Sequence, residues 1–172
     1  MCLNSKTGIA AKLAADVAAT DFITMYQVLQ NFQPDQRPKL LGTDNALDIA
    51  WMREFMKELA SQSQNKAKLD GFTWHAYPLG AGKDEKVDSE IMNPDFSSKI
   101  DKTGQAIQKE EWTKDLPAGV WMGETGGAYN SGRNTVTNRF MSAFWYMDWL
   151  GILANRGHKA FCRQTLIGGN YG

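Results

Sequence analysis

The ten residues Val120-Trp-Met-Gly-Glu-Thr-Gly-Gly-Ala-Tyr129 place a carboxylate between a short apolar run and a glycine-rich loop. The first three residues are typical of a buried strand, and Gly123 allows another group to approach closely. In a parallel α/β sheet, the C-terminal strand ends face the functional site. Glu124 is therefore a candidate to attack an anomeric carbon or to stabilise an oxocarbenium-like transition state. The pattern alone also allows a Glu that caps the next turn or pairs with an arginine.

The composition of the 172 residues is that of a folded domain, with 42% hydrophobic and 22% charged residues. Nineteen basic residues balance nineteen acidic ones, so no net field recruits nucleic acid or a membrane surface. Cys2 and Cys162 are too few for a disulfide framework, and with only two histidines they argue against a Cys/His zinc site. No apolar run approaches the ~20 residues of a membrane span.

Marks of targeting and of nucleotide binding are not found in the sequence. The start, Met-Cys-Leu-Asn-Ser-Lys, lacks the charged-then-apolar layout of a signal peptide, and there is no Asn-x-Ser/Thr sequon. A Gly-x-Gly-x-x-Gly motif after an early strand, which a dinucleotide-binding module would need, does not occur.

Helical and strand patterns alternate along the chain. Helices are predicted at about 20–32, 47–61, 96–112 and 140–155, and strands at about 39–44, 72–77, 120–124 and 159–166. We expect Thr20 to cap the first helix and Gly157 to end the last, which is apolar enough to be largely buried. The polar stretch Gly80–Pro94 is predicted to be a long loop over the site.

This alternation predicts a parallel sheet with right-handed crossovers. Neither a short repeat nor a linker divides the chain, so residues 1–172 are expected to form one domain. Four strands and four helices make half of a (β/α)₈ barrel, whose usual size is roughly 250 residues, or else an open sheet. An end directly after a strand and its loop is what a truncated barrel would give. Unpaired outer strands near Leu40 and Phe161 then predict self-association.

Three motifs carry a resemblance to a known family. Thr73-Trp-His-Ala-Tyr77, Trp121-Met-Gly-Glu-Thr-Gly-Gly-Ala-Tyr129, and Arg163-Gln164 followed by Gly169-Asn-Tyr171 resemble the heparanase-type endo-β-glucuronidases of glycoside hydrolase family 79. Asn93-Pro94, the apolar helix after Phe140 and the segment Gly42-Thr-Asp44 fall in matching order, so the resemblance runs over essentially the whole chain.

The resemblance implies a (β/α)₈ barrel with an accessory β-sandwich, and hydrolysis of β-glucuronidic bonds with retention of configuration. Residues 1–172 would be a partial glycoside hydrolase catalytic domain, the C-terminal half of the barrel with strands five to eight. Glu124 matches the nucleophile at the end of the seventh strand. No cofactor is implied, and the partner would be a uronate-containing glycan such as a glycosaminoglycan. The family also suggests an extracellular or lysosomal location.

The resemblance assigns further residues around Glu124. His75 and Tyr77 match a strand end that points to the sugar and the nucleophile, although a core histidine bonded to a backbone carbonyl is the alternative for His75. Tyr129 matches the tyrosine after the nucleophile loop. In the family, the last strand and its loop place side chains around the uronate, and the matching residues here are Gln164, Asn170 and Tyr171. Tyr171 could instead be a packing aromatic.

One loop segment departs from the family pattern. Asn130 and Ser131 stand where the family has glycines that contact the sugar carboxylate, so a Cβ now occupies the approach and puts tight uronate binding in doubt. The loop cations Lys83, Lys86 and Arg133 could meet a sulfated chain, but we favour simply solvated side chains.

The acid/base residue is the second departure. The family's acid/base Glu lies in an Asn-Glu-Pro/Leu-Asn run, and the matching residues here are Met1-Cys-Leu-Asn4. Cys2 falls on the Glu position, and a thiol is a poor general acid for a glycosidic oxygen. Two hypotheses follow: a glycosidase fragment that is inactive alone, or a non-catalytic remnant that binds a sugar or a partner. A genomic reading frame that encodes Asn-Glu-Pro-Asn upstream of Met1 would favour the glycosidase hypothesis.

Overall fold

The computed structural model describes residues 13–171, in which helices and strands alternate. The helices are α1 (Ala15–Leu29), α2 (Ile49–Gln62), α3 (Lys86–Glu90), α4 (Phe96–Gln108) and α5 (Met141–Asn155). The strands are β1 (Leu41–Ala46), β2 (Gly71–Ala76), β3 (Gly119–Thr125) and β4 (His158–Arg163). A 3₁₀ helix, Glu111–Asp115, precedes β3.

The four strands form one sheet in the order β1-β2-β3-β4, and every neighbouring pair is parallel. Successive parallel strands joined by helices are the repeating unit of a (β/α)₈ barrel, so the predicted half-barrel is confirmed. All four C-terminal strand ends lie at one edge of the sheet. Side chains from residues far apart in the sequence therefore converge at that edge.

The hydrophobic core lies between one face of the sheet and the helices. Phe72 and Trp74 of β2 are buried, and they pack against Phe55 of α2 and Trp149 of α5, with ring centroids 6.4 and 6.5 Å apart. Burial of each such side chain contributes about 2–3 kcal/mol. This core fixes the helix-side face of β2 and leaves the opposite face, with Thr73 and His75, for the barrel interior.

Two strands carry an extra residue close to their C-terminal ends. In the pairing of β1 with β2, the register skips Asp44, and in the pairing of β2 with β3 it skips Gly123. Strict alternation would place Glu124 on the same face as Val120 and Met122, which are buried against the helices. The bulge at Gly123 breaks this alternation and re-aims Glu124 away from the core.

Helix boundaries differ from the predictions in two regions. α1 begins at Ala15, so Thr20 is not its cap; Thr20 lies within the helix and its Oγ1 donates to the carbonyl of Asp16 at 3.0 Å. Tertiary packing explains the earlier start, because Ala15, Ala18 and Ala19 are all buried. The predicted loop 80–94 contains the short helix α3, and α4 ends at Gln108 before the 3₁₀ helix.

α5 is not largely buried, contrary to expectation. Trp145, Trp149 and Leu153, spaced four residues apart, face the core, whereas Phe140, Phe144 and Met147 are more than half exposed. A helix that is apolar all round carries no periodic signal of which side will be covered. Gly157, with φ of +97°, follows the helix as predicted. Within residues 13–171, no helix combines the length and apolarity needed to cross a membrane.

Candidate active site

Glu124 is the second-last residue of β3 and lies at the edge where the strand ends converge. Its Oε1 accepts a hydrogen bond from the hydroxyl of Tyr77 at 2.5 Å, and its Oε2 lies 3.6 Å from Nδ1 of His75. Its side chain is 40% exposed, so a ligand can reach the carboxylate. Neither alternative for Glu124, a turn cap or an arginine partner, describes these contacts.

Tyr77 links Glu124 to the last strand, because its hydroxyl also meets Oε1 of Gln164. The Tyr77 hydroxyl has a single hydrogen and donates it to one acceptor at a time. When the Gln164 amide is oriented with its N–H₂ group toward Tyr77, the hydroxyl donates to Glu124. Burial, followed by the hydrogen bond to Glu124 and the charge of Glu124, raises the pKa of Tyr77 well above its ordinary value. Tyr77 is therefore a hydrogen-bond donor across the whole physiological range.

His75 lies between two carboxylates. Its Nε2 is 3.1 Å from Oδ1 of Asp44, and its Nδ1 faces Glu124. The ring is 29% exposed and both of these partners are side chains, so the alternative of a core histidine bonded to a backbone carbonyl is wrong. A line of polar side chains thus runs along the strand ends: Asp44, His75, Glu124, Tyr77 and Gln164.

Two further tyrosines pack around Tyr77. The centroids of the Tyr129 and Tyr171 rings lie 6.5 and 6.1 Å from that of Tyr77. The Tyr171 hydroxyl also accepts a hydrogen bond from the backbone N–H of Ser131 at 3.0 Å, so Tyr171 does more than pack. Aromatic surface beside a carboxylate suits a sugar ring, whose faces are apolar and whose edges carry hydroxyls.

The loop after β3 contains three consecutive residues with positive φ: Asn130 at 59°, Ser131 at 66° and Gly132 at 70°. This backbone conformation favours glycine, which agrees with the glycines that the resemblance implies at positions 130 and 131, and Asn130 and Ser131 adopt it at a cost in backbone strain. The carbonyl of Ser131 accepts from the N–H of Asn170 at 2.6 Å, so this loop is tied to the loop after β4.

Two of the remaining candidate residues, Asn170 and Arg133, form hydrogen bonds to other side chains of the protein. The side chain of Asn170 accepts from Asn138 at 3.1 Å, and a sugar contact for it stays a prediction. Arg133 is not simply solvated, because its Nη2 donates to Asp88 at 2.9 Å and ties α3 to the loop after β3. Lys83 and Lys86 are exposed. Cys2 lies outside the described residues.

Sequence reasoning missed Asp44 as part of the site. Its position, a lone carboxylate at the end of a short apolar strand, is the same signal that singled out Glu124. What the sequence does not reveal is the bulge that turns Asp44 toward His75. Across residues 13–171, no group of three or more His, Cys, Asp or Glu side chains is arranged to hold a metal ion.

A parallel half-barrel with a carboxylate at a strand end is an arrangement that a barrel-type glycoside hydrolase can use. Residues 3–151 match the model of the glycosyl hydrolase family 79 N-terminal domain, and the chain belongs to this family. Heparanase-like protein 3 of Arabidopsis thaliana is 36% identical over 172 residues, which covers 96% of this chain and 30% of that protein.

Two other relatives carry names that describe an activity. Baicalin-beta-D-glucuronidase of Scutellaria baicalensis is 32% identical, with 90% of this chain and 28% of that protein covered. Heparanase of Mus musculus is 31% identical, with 88% of this chain and 28% of that protein covered. The chain therefore spans less than a third of the length of these curated relatives.

Proposed function

We propose that this chain supplies the nucleophile half of a retaining β-glucuronidase site, with Glu124 as the nucleophile. The observation that carries the proposal is the contact set of Glu124, which has a hydroxyl donor on one oxygen and an imidazole facing the other. Its setting, the end of β3 in a chain of glycoside hydrolase family 79, supports the same role.

The proposed reaction has two steps. An oxygen of Glu124 forms a bond to the anomeric carbon while the bond from that carbon to the leaving oxygen breaks, and a general acid protonates the leaving oxygen. Water then attacks the same carbon, gives its proton to the conjugate base, and releases Glu124. Two inversions at one carbon return the β configuration.

The neighbours of Glu124 suit this role. The Tyr77 hydroxyl donates to the ionised carboxylate, which orients it for in-line attack and favours the charged form that a nucleophile needs. Because Tyr77 holds its proton so firmly, it acts by donating a hydrogen bond and is a poor general acid.

We propose a glucuronide as the substrate, on the names of relatives that act on glucuronides or glycosaminoglycans, such as the hyaluronoglucuronidase of Hirudo nipponia. The N–H of Ser131 and the hydroxyl of Tyr171 lie together beside Tyr77, where the family places the uronate carboxylate. The Cβ atoms of Asn130 and Ser131 narrow this approach.

We further propose that the isolated chain cleaves natural glycans poorly. Of the described side chains next to Glu124, neither is an available acid: Tyr77 is committed to Glu124, and His75 lies on the other oxygen. General acid help is usually worth a factor of ~10²–10⁴. A reagent that needs little protonation is therefore the right probe for Glu124.

The test is covalent trapping with 2-deoxy-2-fluoro-β-glucuronyl fluoride, whose fluoride leaves without strong acid assistance. We expect one adduct in the intact mass, located on Glu124 by peptide mapping. Glu124→Gln should give no adduct, while the matched change Glu54→Gln, on the exposed surface of α2, should label like the wild type.

Each result has a defined meaning. An adduct on another carboxylate would reassign the nucleophile. An unlabelled wild type that still binds glucuronate in a titration would replace this proposal with the alternative, a non-catalytic sugar-binding remnant.

We also propose that the isolated chain self-associates through the outer strands β1 and β4, which each have one neighbour among the strands of residues 13–171. Size exclusion with light scattering measures this directly. A sharp peak at the monomer mass of 19.2 kDa at all concentrations would exclude it.

A further inference from the structure

The two bulged residues, Asp44 and Gly123, flank the same stretch of β2. The register skips Asp44 between the partners of Thr73 and Trp74, and it skips Gly123 between the partners of Trp74 and His75. Two irregularities on opposite sides of one strand, next to a candidate nucleophile, are features that strain or aim side chains.

The bulge holds Asp44 in a defined place. Its φ of +53° lies in the left-handed region, and its N–H donates to Oγ1 of Thr73 at 3.1 Å. Thr73 is 4% exposed, so this anchor belongs to the packed interior. From there the carboxylate reaches across β2, and Oδ1 meets Nε2 of His75 at 3.1 Å.

Gly123 is what makes room for that carboxylate. A Cβ built on Gly123 would lie 2.0 Å from Oδ1 of Asp44 and 3.1 Å from Cβ of Thr73. No side chain fits at such distances without displacing the carboxylate. The sequence predicted that another group approaches Gly123 closely, and the group that does so is the carboxylate of Asp44.

We propose that Asp44 is a positioning residue that acts on Glu124 through His75. By accepting the hydrogen on Nε2, Asp44 fixes the tautomer and the ring orientation, which keeps the Nδ1 edge 3.6 Å from Oε2 of Glu124. A carboxylate that holds an imidazole in one orientation toward a reacting group is a general catalytic device. The proposal rests on the proposed role of Glu124 as the nucleophile.

An ordinary surface ion pair is the competing explanation, since the Asp44 side chain is 54% exposed. Exposed pairs fix little, because their ends remain free to rotate in water. The two explanations differ in what they expect at Gly123. Only a positioning role makes the methyl group of Gly123→Ala, whose nearest contact is Oδ1 of Asp44, change the state of the His75 ring.

The chain offers a clean spectroscopic test because it has two histidines, His75 and His158. Ring nitrogen NMR of histidine-labelled protein should show His75 with its proton on Nε2. Asp44→Gly keeps the positive φ and removes the carboxylate, so we expect averaging between the two tautomers. Gly123→Ala should reproduce that spectrum, while Gly151→Ala, where the added Cβ meets open space, should not.

Asp44→Asn is the conservative variant. Its amide oxygen can still accept from Nε2, so we expect a His75 spectrum close to that of the wild type. A His75 signal that is unchanged in Asp44→Gly, or unchanged in Gly123→Ala, would overturn the proposal.

The second measurement is the rate of trapping by the fluoroglucuronyl fluoride. We expect Asp44→Gly and Gly123→Ala to slow adduct formation by about tenfold each, and the double variant to be no slower than either. Rates equal to the wild type would overturn the proposal. If the wild type itself forms no adduct, the proposed function fails, and the NMR comparison still decides whether Asp44 positions His75.

Discussion

The two histidines of this chain lie at opposite ends of the same parallel sheet. His158 begins β4 and is 3% exposed; its Nε2 accepts from the indole N–H of Trp74 at 3.0 Å. His75 lies near the end of β2, is 29% exposed and contacts two carboxylates. One residue type thus serves the packing at one end and a chemical site at the other.

Burial accounts for the difference. Removal from water lowers the pKa of His158 to about 4, against the opposing effect of the Leu153 backbone carbonyl, which favours the protonated ring. His158 is therefore neutral, with its hydrogen on Nδ1, and works as an acceptor inside the core. At the other end, the ring of His75 contacts two carboxylates and is partly exposed. The position of each histidine along its strand, rather than the residue type, determines whether it serves packing or the candidate site.

The largest effect is expected from removing each histidine in turn. His158→Ala should lower the free energy of unfolding by about 3 kcal/mol, because it leaves a cavity and an unpaired indole N–H on Trp74. His75→Ala should cost less than ~1 kcal/mol, since its partners stay hydrated. Urea unfolding followed by tryptophan fluorescence measures both, and equal losses would remove the distinction between the two ends.

The low pKa of His158 should also make the free energy of unfolding depend on pH, through proton linkage. The pKa of His158 is about 4 when folded and near 6.5 when unfolded, so between these values the unfolded chain binds a proton that the folded chain does not. Stability should be complete above about pH 6.5 and fall by roughly 3 kcal/mol as the pH approaches 4.

His158→Gln is the control for this linkage, because its amide oxygen can still accept from Trp74. The difference between wild type and His158→Gln should shrink steadily from pH 7 to pH 4. A constant difference would mean that His158 does not carry the proton linkage.

The next largest effect is expected at the C-terminal ends of the strands, where Tyr77 donates to Glu124. Tyr77→Phe removes the donor to Glu124 and should slow trapping by about 10- to 100-fold, the worth of a hydrogen bond to a charged group. Unfolding should change little, because Tyr77 lies at the rim. Tyr129→Phe is the matched control, because it removes a phenolic hydroxyl beside Tyr77 and keeps the ring. An equal slowing there would contradict a specific donor role for the Tyr77 hydroxyl.

The smallest effect tests the strain at the catalytic end. Ser131→Gly should relieve the φ of 66° and raise the free energy of unfolding by up to about 1 kcal/mol. It should also tighten glucuronate binding, measured by calorimetry, because the Cβ leaves the approach. Thr135→Gly, at the same φ of 66°, should stabilise without changing binding; equal tightening there would contradict a local role for Ser131.

Much of this architecture could be predicted from the sequence. Four strand patterns separated by helical ones imply parallel pairing, and parallel pairing alone brings His75, Glu124 and Gln164 to one edge. The motifs then led to the family. Periodicity and strand-end chemistry were sufficient because they depend on local sequence.

The rest depends on interactions between distant residues. The start of α1 and the half-exposed α5 follow from what packs against each helix, which the helix sequence does not contain. The Asp44 bulge is stabilised by Thr73 on another strand, so no window around Asp44 reveals it. The pairing of Arg133 with Asp88 likewise joins residues that are 45 apart in the chain.

The extra residue in β3 also bears on how insertions and deletions are tolerated here. Deleting Gly123 would remove only the extra residue, so Glu124 would follow Met122 directly and its side chain would stay on the face of His75. A related sequence of unchanged length in which residue 123 pairs regularly with β2 would instead turn the glutamate toward the helices, even though a glutamate is still written there. Comparisons that count only which letters are retained would score such a sequence as intact.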